Sequence, residues 1–164
     1  MPDPELSQDL RAGIHELYAE LGRELDRRRP VCELSGRCCR FEEYGHTLFL
    51  SSIEARLLVD EAPPPARPLD AGASCPWQDL AGRCTARDAR PLGCRLYYCD
   101  PGFQEEMPEL SETWISRLKA LVDRHGLPWH YAPLHAHLRR LLPERPPDHD
   151  GSAIPIPPIS RDDR

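Results

Sequence analysis

All seven cysteines of this 164-residue chain fall between Cys32 and Cys99. Their order is Cys32, five residues, the adjacent pair Cys38 and Cys39, thirty-five residues, Cys75, eight, Cys84, nine, Cys94, four, Cys99. A core that used cysteine only as a small apolar filler would scatter it along the chain; confinement to one stretch ties that stretch to sulfur chemistry. The odd count leaves one thiol outside any complete disulfide framework. Met1-Pro2-Asp3-Pro4-Glu5 has neither the basic nor the apolar region of a secretory signal, and no apolar run reaches the length of a membrane span. A cytoplasmic protein without a membrane segment is therefore expected, in a compartment that keeps thiols reduced. Metal ligation or thiol chemistry is then the expected use of the cysteines.

The residues around them fit that use. Gly36 precedes the pair, Pro76 follows Cys75, Gly82 stands two before Cys84 and Gly93 directly before Cys94. Such turn residues expose backbone N–H groups that stabilise thiolates. Successive side chains point in divergent directions, so Cys38 and Cys39 are expected to serve two metals, or one as a ligand and one as a bystander. A single four-cysteine zinc site leaves three cysteines over. Two tetrahedral zinc ions sharing one thiolate take seven sulfurs, whereas a [4Fe–4S] cluster takes four. The candidate ligands are thus Cys32, Cys38, Cys39, Cys75, Cys84, Cys94 and Cys99, and the cofactor is an iron–sulfur cluster (4Fe–4S) or zinc.

Cys32-x5-Cys38-Cys39, Cys75-Pro76-Trp77, Gly82-Arg83-Cys84 and Arg90-Pro91-Leu92-Gly93-Cys94-Arg95, with Cys99 beyond, form an ordered pattern over residues 31–101. In this order and spacing the chain resembles the YkgJ-type cysteine-cluster family, a zinc- or iron-chelating domain. The resemblance implies a bacterial-type domain that binds metal through these cysteines, without assigning an activity.

The flanks read as helices. Leu10, Ile14, Leu17, Leu21 and Leu25 recur every three or four residues, with Ser7 as N-cap and Arg27-Arg28-Arg29 before Pro30 at the stop. Ser51-x-x-Glu54 is a capping box that starts a second helix, ended by Pro63-Pro64-Pro65. Tyr44–Leu50 reads as a short strand. A third helix is expected from Ser111, with Trp114, Ile115, Leu118, Leu121 and Val122 on one side and Gly126 at its C-terminal cap, and a fourth from Pro133 to Leu142. The expected fold is a single small domain, mainly α, or α+β with that strand: an N-terminal amphipathic helix over 1–30, an irregular cysteine-rich metal-binding core over 31–101, a helical segment over 102–142, and a disordered Pro-rich tail over 143–164. With 40% apolar residues the chain can bury a core without disulfides.

A formal charge of −6 argues against nucleic acid, which calls for a basic face. All basic residues but Lys119 are arginine, and Arg37, Arg40, Arg83, Arg87, Arg90 and Arg95 lie within four residues of a cysteine. That placement reflects either an arginine-biased composition or an electrostatic role. His46, seven residues after Cys39, is a candidate ligand or supporting group; His125, His130, His135 and His137 read as surface or partly buried residues. Trp129, His130 and Tyr131 read as a packed hinge between helices. Three classes stay open: a metal- or cluster-binding protein with a protein partner not named by the sequence, a zinc-stabilised interaction module, and an enzyme whose cluster adjoins a pocket lined by Tyr97, Tyr98 and the Trp129 region.

Overall fold

The structure is a computed structural model that describes residues 5–32, 35–69 and 72–142. The N-terminal apolar repeat forms α1 (Gln8–Arg28), capped by Ser7, whose hydroxyl accepts the Leu10 N–H at 3.2 Å. Leu10, Ile14, Leu17, Tyr18, Leu21 and Leu25 are all buried on one side of it. The helix stops as expected: Arg29 turns left-handed (φ 52°) and returns its N–H to the Leu25 carbonyl, ahead of Pro30.

The buried stripe of α1 packs on α6 (Met107–Arg124), which presents Leu110, Trp114, Leu118, Leu121 and Val122. Their polar edges are joined by Arg117 to Glu20, Arg28 to Glu106, and the Trp114 indole N–H to Glu24 at 3.2 Å. α6 begins four residues before the expected Ser111. Pro108 lies in its first turn, where a missing N–H costs no intrahelical bond, so the helix extends back through Leu110. It ends at Arg124, with His125 as its cap and Gly126 next in left-handed backbone (φ 68°).

A second layer is built around a two-stranded antiparallel ribbon, β1 (Phe49–Ser51) and β2 (Tyr131–Pro133), in register Phe49 to Pro133, Leu50 to Ala132 and Ser51 to Tyr131. The strand is shorter than the expected Tyr44–Leu50. Residues Phe41–Tyr44 form a helical turn, α2, which Gly45 ends in left-handed backbone (φ 64°), and only Phe49 onward meets a partner strand. Ser51 then caps α3 (Ser52–Glu61) through the expected capping box, with both reciprocal bonds made. α7 (Leu134–Leu141) follows β2 and packs on α3. Two further short helices, α4 (Leu92–Leu96) and α5 (Pro101–Gln104), lie within and beside the cysteine segment, where runs of five and four residues show no apolar period.

The molecule is mainly helical with this small sheet. Its buried apolar residues form two clusters: one between α1 and α6, extended by Ile53, Leu57, Leu92, Leu96 and Phe103, and one that joins Leu50, Ala55, Leu58, Leu134 and Leu138 to Phe41, Trp77, Cys39 and Cys75. The expected tail over 143–164 lies outside the described residues. Among the described residues no helix is long and apolar enough to cross a membrane.

Candidate metal centre

Cys38 and Cys39 lie on a single 3₁₀ turn, Arg37–Cys39, launched by Gly36 in left-handed backbone (φ 71°, ψ 9°). Gly36 must be glycine on two counts. The conformation disfavours a Cβ, and a Cβ there would sit 2.4 Å from the Gly82 carbonyl oxygen. The two glycine turns are clamped by Gln78, a buried amide absent from the sequence-based candidates, whose Nε2 donates to the Gly36 carbonyl at 3.2 Å and the Gly82 carbonyl at 3.0 Å. Nothing in the local sequence marks Gln78, because the Gly36 acceptor comes from a distant part of the chain.

Cys75 and Cys84 arrive on one looped-back segment. Gln78 bridges Cys84, the Thr85 N–H reaches the Trp77 carbonyl at 2.8 Å, and the Cys75 N–H donates to the Cys39 carbonyl at 2.8 Å. Trp77 anchors the loop through its indole N–H to the Pro63 carbonyl at 2.7 Å. Cys94 comes from α4. The position of α4 is set by Glu54, whose carboxylate accepts the Leu92 N–H at 2.8 Å while also accepting the Tyr18 hydroxyl at 3.0 Å and the Ser51 N–H and hydroxyl, each at 3.1 Å. The sequence marked Glu54 only as half of a capping box. In the fold it also ties the N-terminal helix to the cysteine-bearing one.

These segments bring five thiols together. Cys39 interacts through its thiol with those of Cys38, Cys75 and Cys84, and Cys94 feels the charges of Cys75, Cys38 and Cys84. Cys38, Cys39, Cys75, Cys84 and Cys94 all border an inner void of about 20 Å³. Cys32 and Cys99 stand apart from it. Together with Cys38, Cys39 and Cys84 they border an outer cavity of about 400 Å³, also lined by Tyr97 and Tyr98. Their two strands of chain are held together by Asp100, which accepts the Val31 N–H at 3.1 Å, and Ser35 Oγ lies 3.7 Å from Cys99 Sγ. All seven thiols are free.

Cys38 and Cys39 border the same two cavities and interact with each other. A 3₁₀ turn rotates successive side chains by about 120°, whereas an extended strand alternates them to opposite faces. Cys39 donates to its neighbours and keeps its proton, so its thiol is pushed well above the usual range. The hydrogen bond from Cys39 lowers Cys38 to about 7. It likewise lowers Cys84 to about 6, with help from the Ala86 N–H and from Arg90 and Arg87. Burial drives Cys94 the other way, well above its ordinary value. The cluster therefore combines two thiols that ionise readily with neighbours that hold their protons.

His46 lies behind Cys38, with Nε2 3.3 Å from the Cys38 carbonyl oxygen and its ring stacked on Tyr97 at 5.0 Å. It supports the pair through the backbone. His135 and His137 are buried in the α7 interface, His137 Nε2 lying 3.0 Å from the Leu50 carbonyl oxygen, so the reading of these two as surface or partly buried residues is corrected to full burial by the amphipathic placement of α7. Tyr97 and Tyr98 line the outer cavity as expected, but Trp129 does not; it stacks on Tyr131 at 5.7 Å and packs against the α1–α6 cluster.

Among the described residues, no three His, Cys, Asp or Glu side chains stand in metal-holding geometry; the thiols contact one another. The donor set and the void nevertheless suit a thiophilic ion: five sulfurs border a space about the size of one water-sized sphere, and no carboxylate is among its lining. No protein-family profile, curated protein or solved structure matches the chain.

Proposed function

We propose that this protein binds a thiophilic metal through the inner cysteine cluster, with Cys38, Cys39, Cys75, Cys84 and Cys94 as its donors. The observation that carries this reading is that five free thiols, delivered by three separate segments, border one atom-sized void. The order of the cysteines, with its resemblance to the YkgJ-type family, points the same way. A bound ion would replace thiol protons, draw on four of these five sulfurs, and lend folding energy to a loop-rich segment. A void of this size suits a single zinc ion. The outer cavity, which adds Cys32 and Cys99 to Cys38, Cys39 and Cys84, favours a second reading, an iron–sulfur cluster, because that space is large enough for a multi-atom cofactor.

Anaerobic purification with metal and sulfide analysis tests both. Colourless protein with zinc that is lost in Cys39→Ser and Cys84→Ser but retained in Cys99→Ser supports the inner site. Brown protein with iron and acid-labile sulfide, bleached by Cys99→Ser, places the cofactor in the outer cavity. Metal-free protein whose melting temperature does not respond to added zinc or iron overturns metal binding altogether.

A further inference from the structure

The outer cavity is walled by cations as well as by sulfur. Arg37, Arg83, Arg87 and Arg90 all line it, and among the described residues no carboxylate does. The chain carries a formal charge of −6, and elsewhere in it Arg11, Arg23, Arg28, Arg40, Arg56 and Arg117 each pair with an acid. Of the four cavity arginines only Arg83 has an acidic partner among the described residues, Asp79 at 3.8 Å. Among the described residues, Arg37, Arg87 and Arg90 make no ion pair. Arg37 instead lies over the Tyr44 ring at 5.3 Å, and Arg90 spends only its Nε, on the Arg87 carbonyl at 3.0 Å, leaving its terminal nitrogens for a ligand.

The cavity has the size of a small-molecule site, since such pockets run from about 300 to 1,000 Å³. Tyr97 and Tyr98 add aromatic surface to its lining. Guanidinium groups present forked donors that match the two oxygens of a carboxylate or phosphate. Cys38 and Cys84 border the same space, which is far larger than their two sulfurs fill.

We propose that the outer cavity binds a small organic dianion with two carboxylate or phosphate groups, gripped by Arg37, Arg87 and Arg90 and packed on Tyr97 and Tyr98. Such a ligand would lie against Cys38, Cys39 and Cys84, the three cysteines common to both cavities. The inference rests on the arginines and the cavity, and it stands whether or not the inner thiols hold zinc. It is incompatible with a cluster filling the outer cavity.

Calorimetric titration of the full chain, as purified anaerobically and with its metal content recorded, tests it with glutarate and inorganic phosphate as probes and uncharged glutaramide as the control. The expected result is saturable binding of at least one anion, none of glutaramide, a loss of tenfold or more in affinity in Arg37→Gln/Arg87→Gln, and no loss in Arg124→Gln on α6. The bound anion should also slow alkylation of Cys99 by N-ethylmaleimide. Arg87→Gln alone, an exposed substitution, should weaken binding without lowering the melting temperature. No saturable binding of either anion, equal binding of glutaramide, or unchanged affinity in the double variant overturns the proposal. Metal loss in Cys39→Ser with glutarate binding intact leaves both readings standing, whereas metal-free wild-type protein that does not respond to added zinc or iron and still binds glutarate removes the metal reading alone.

Discussion

A methyl group on Gly36 would meet the Gly82 carbonyl oxygen at 2.4 Å and Gln78 Nε2 at 2.7 Å. It would also force an L-residue into left-handed backbone, which costs about 1–2 kcal/mol by itself. Gly36→Ala is therefore expected to lower stability by about 2 kcal/mol or more, and to separate the Cys38–Cys39 turn from the Cys84 loop, which would also weaken the binding of any metal held by the inner thiols. Gly22→Ala is the contrasting case: it lies within α1 with open space around it, so a gain of about 0.5–1 kcal/mol is expected from the restricted unfolded chain. Urea unfolding of the two variants beside the wild type checks both signs. The sequence showed a glycine before each of these turns, and so their shape was legible. That the two turns touch was not, since a clash between residues 36 and 82 depends on how the chain returns.

Between elements, the capping box of α3 carries more than a helix start. The Glu54 carboxylate is buried among the Tyr18 hydroxyl, the Ser51 N–H and hydroxyl, and the Leu92 N–H. Burial raises its pKa, and the four donors only partly offset this. An acid whose folded pKa is raised adds stability in full below its unfolded value of about 4.3, and that contribution fades as pH rises through the folded value. Wild-type stability should accordingly decline as pH rises above about 4.3, and Glu54→Gln should flatten that part of the profile. The same variant should lose about 1–3 kcal/mol at the low-pH end, because its amide nitrogen would face an N–H donor, and the loss should shrink as pH rises. Denaturant titrations across this range separate the slope from the offset. The helices α1, α3 and α7 were legible in the sequence from caps and apolar spacing, whereas α2, α4 and α5 were not, being too short to show a period.

Across the whole molecule, the two apolar clusters divide the work. The α1–α6 cluster is a conventional helix pair with large side chains, and the second cluster includes Cys39 and Cys75 among its buried members. If the inner thiols hold a metal, its removal by a chelator should raise hydrogen exchange at the backbone amides of Cys75 and Thr85, which bond across the cysteine loops, while Leu17–Leu21 and Leu118–Val122 stay protected. A uniform rise would show instead that the two clusters unfold as one unit. Sequence by itself determined the helical class, the caps of α1 and α3 and the confinement of sulfur to one segment, because each follows from residue type and spacing within a few turns of chain. Tertiary structure alone decided that five cysteines gather on a small void while Cys32 and Cys99 turn to a larger cavity walled by arginines. Contacts such as Gly36 with Gly82 and Glu54 with Leu92 join residues dozens of positions apart, and their energy comes from burial and hydrogen-bond closure that no local period encodes.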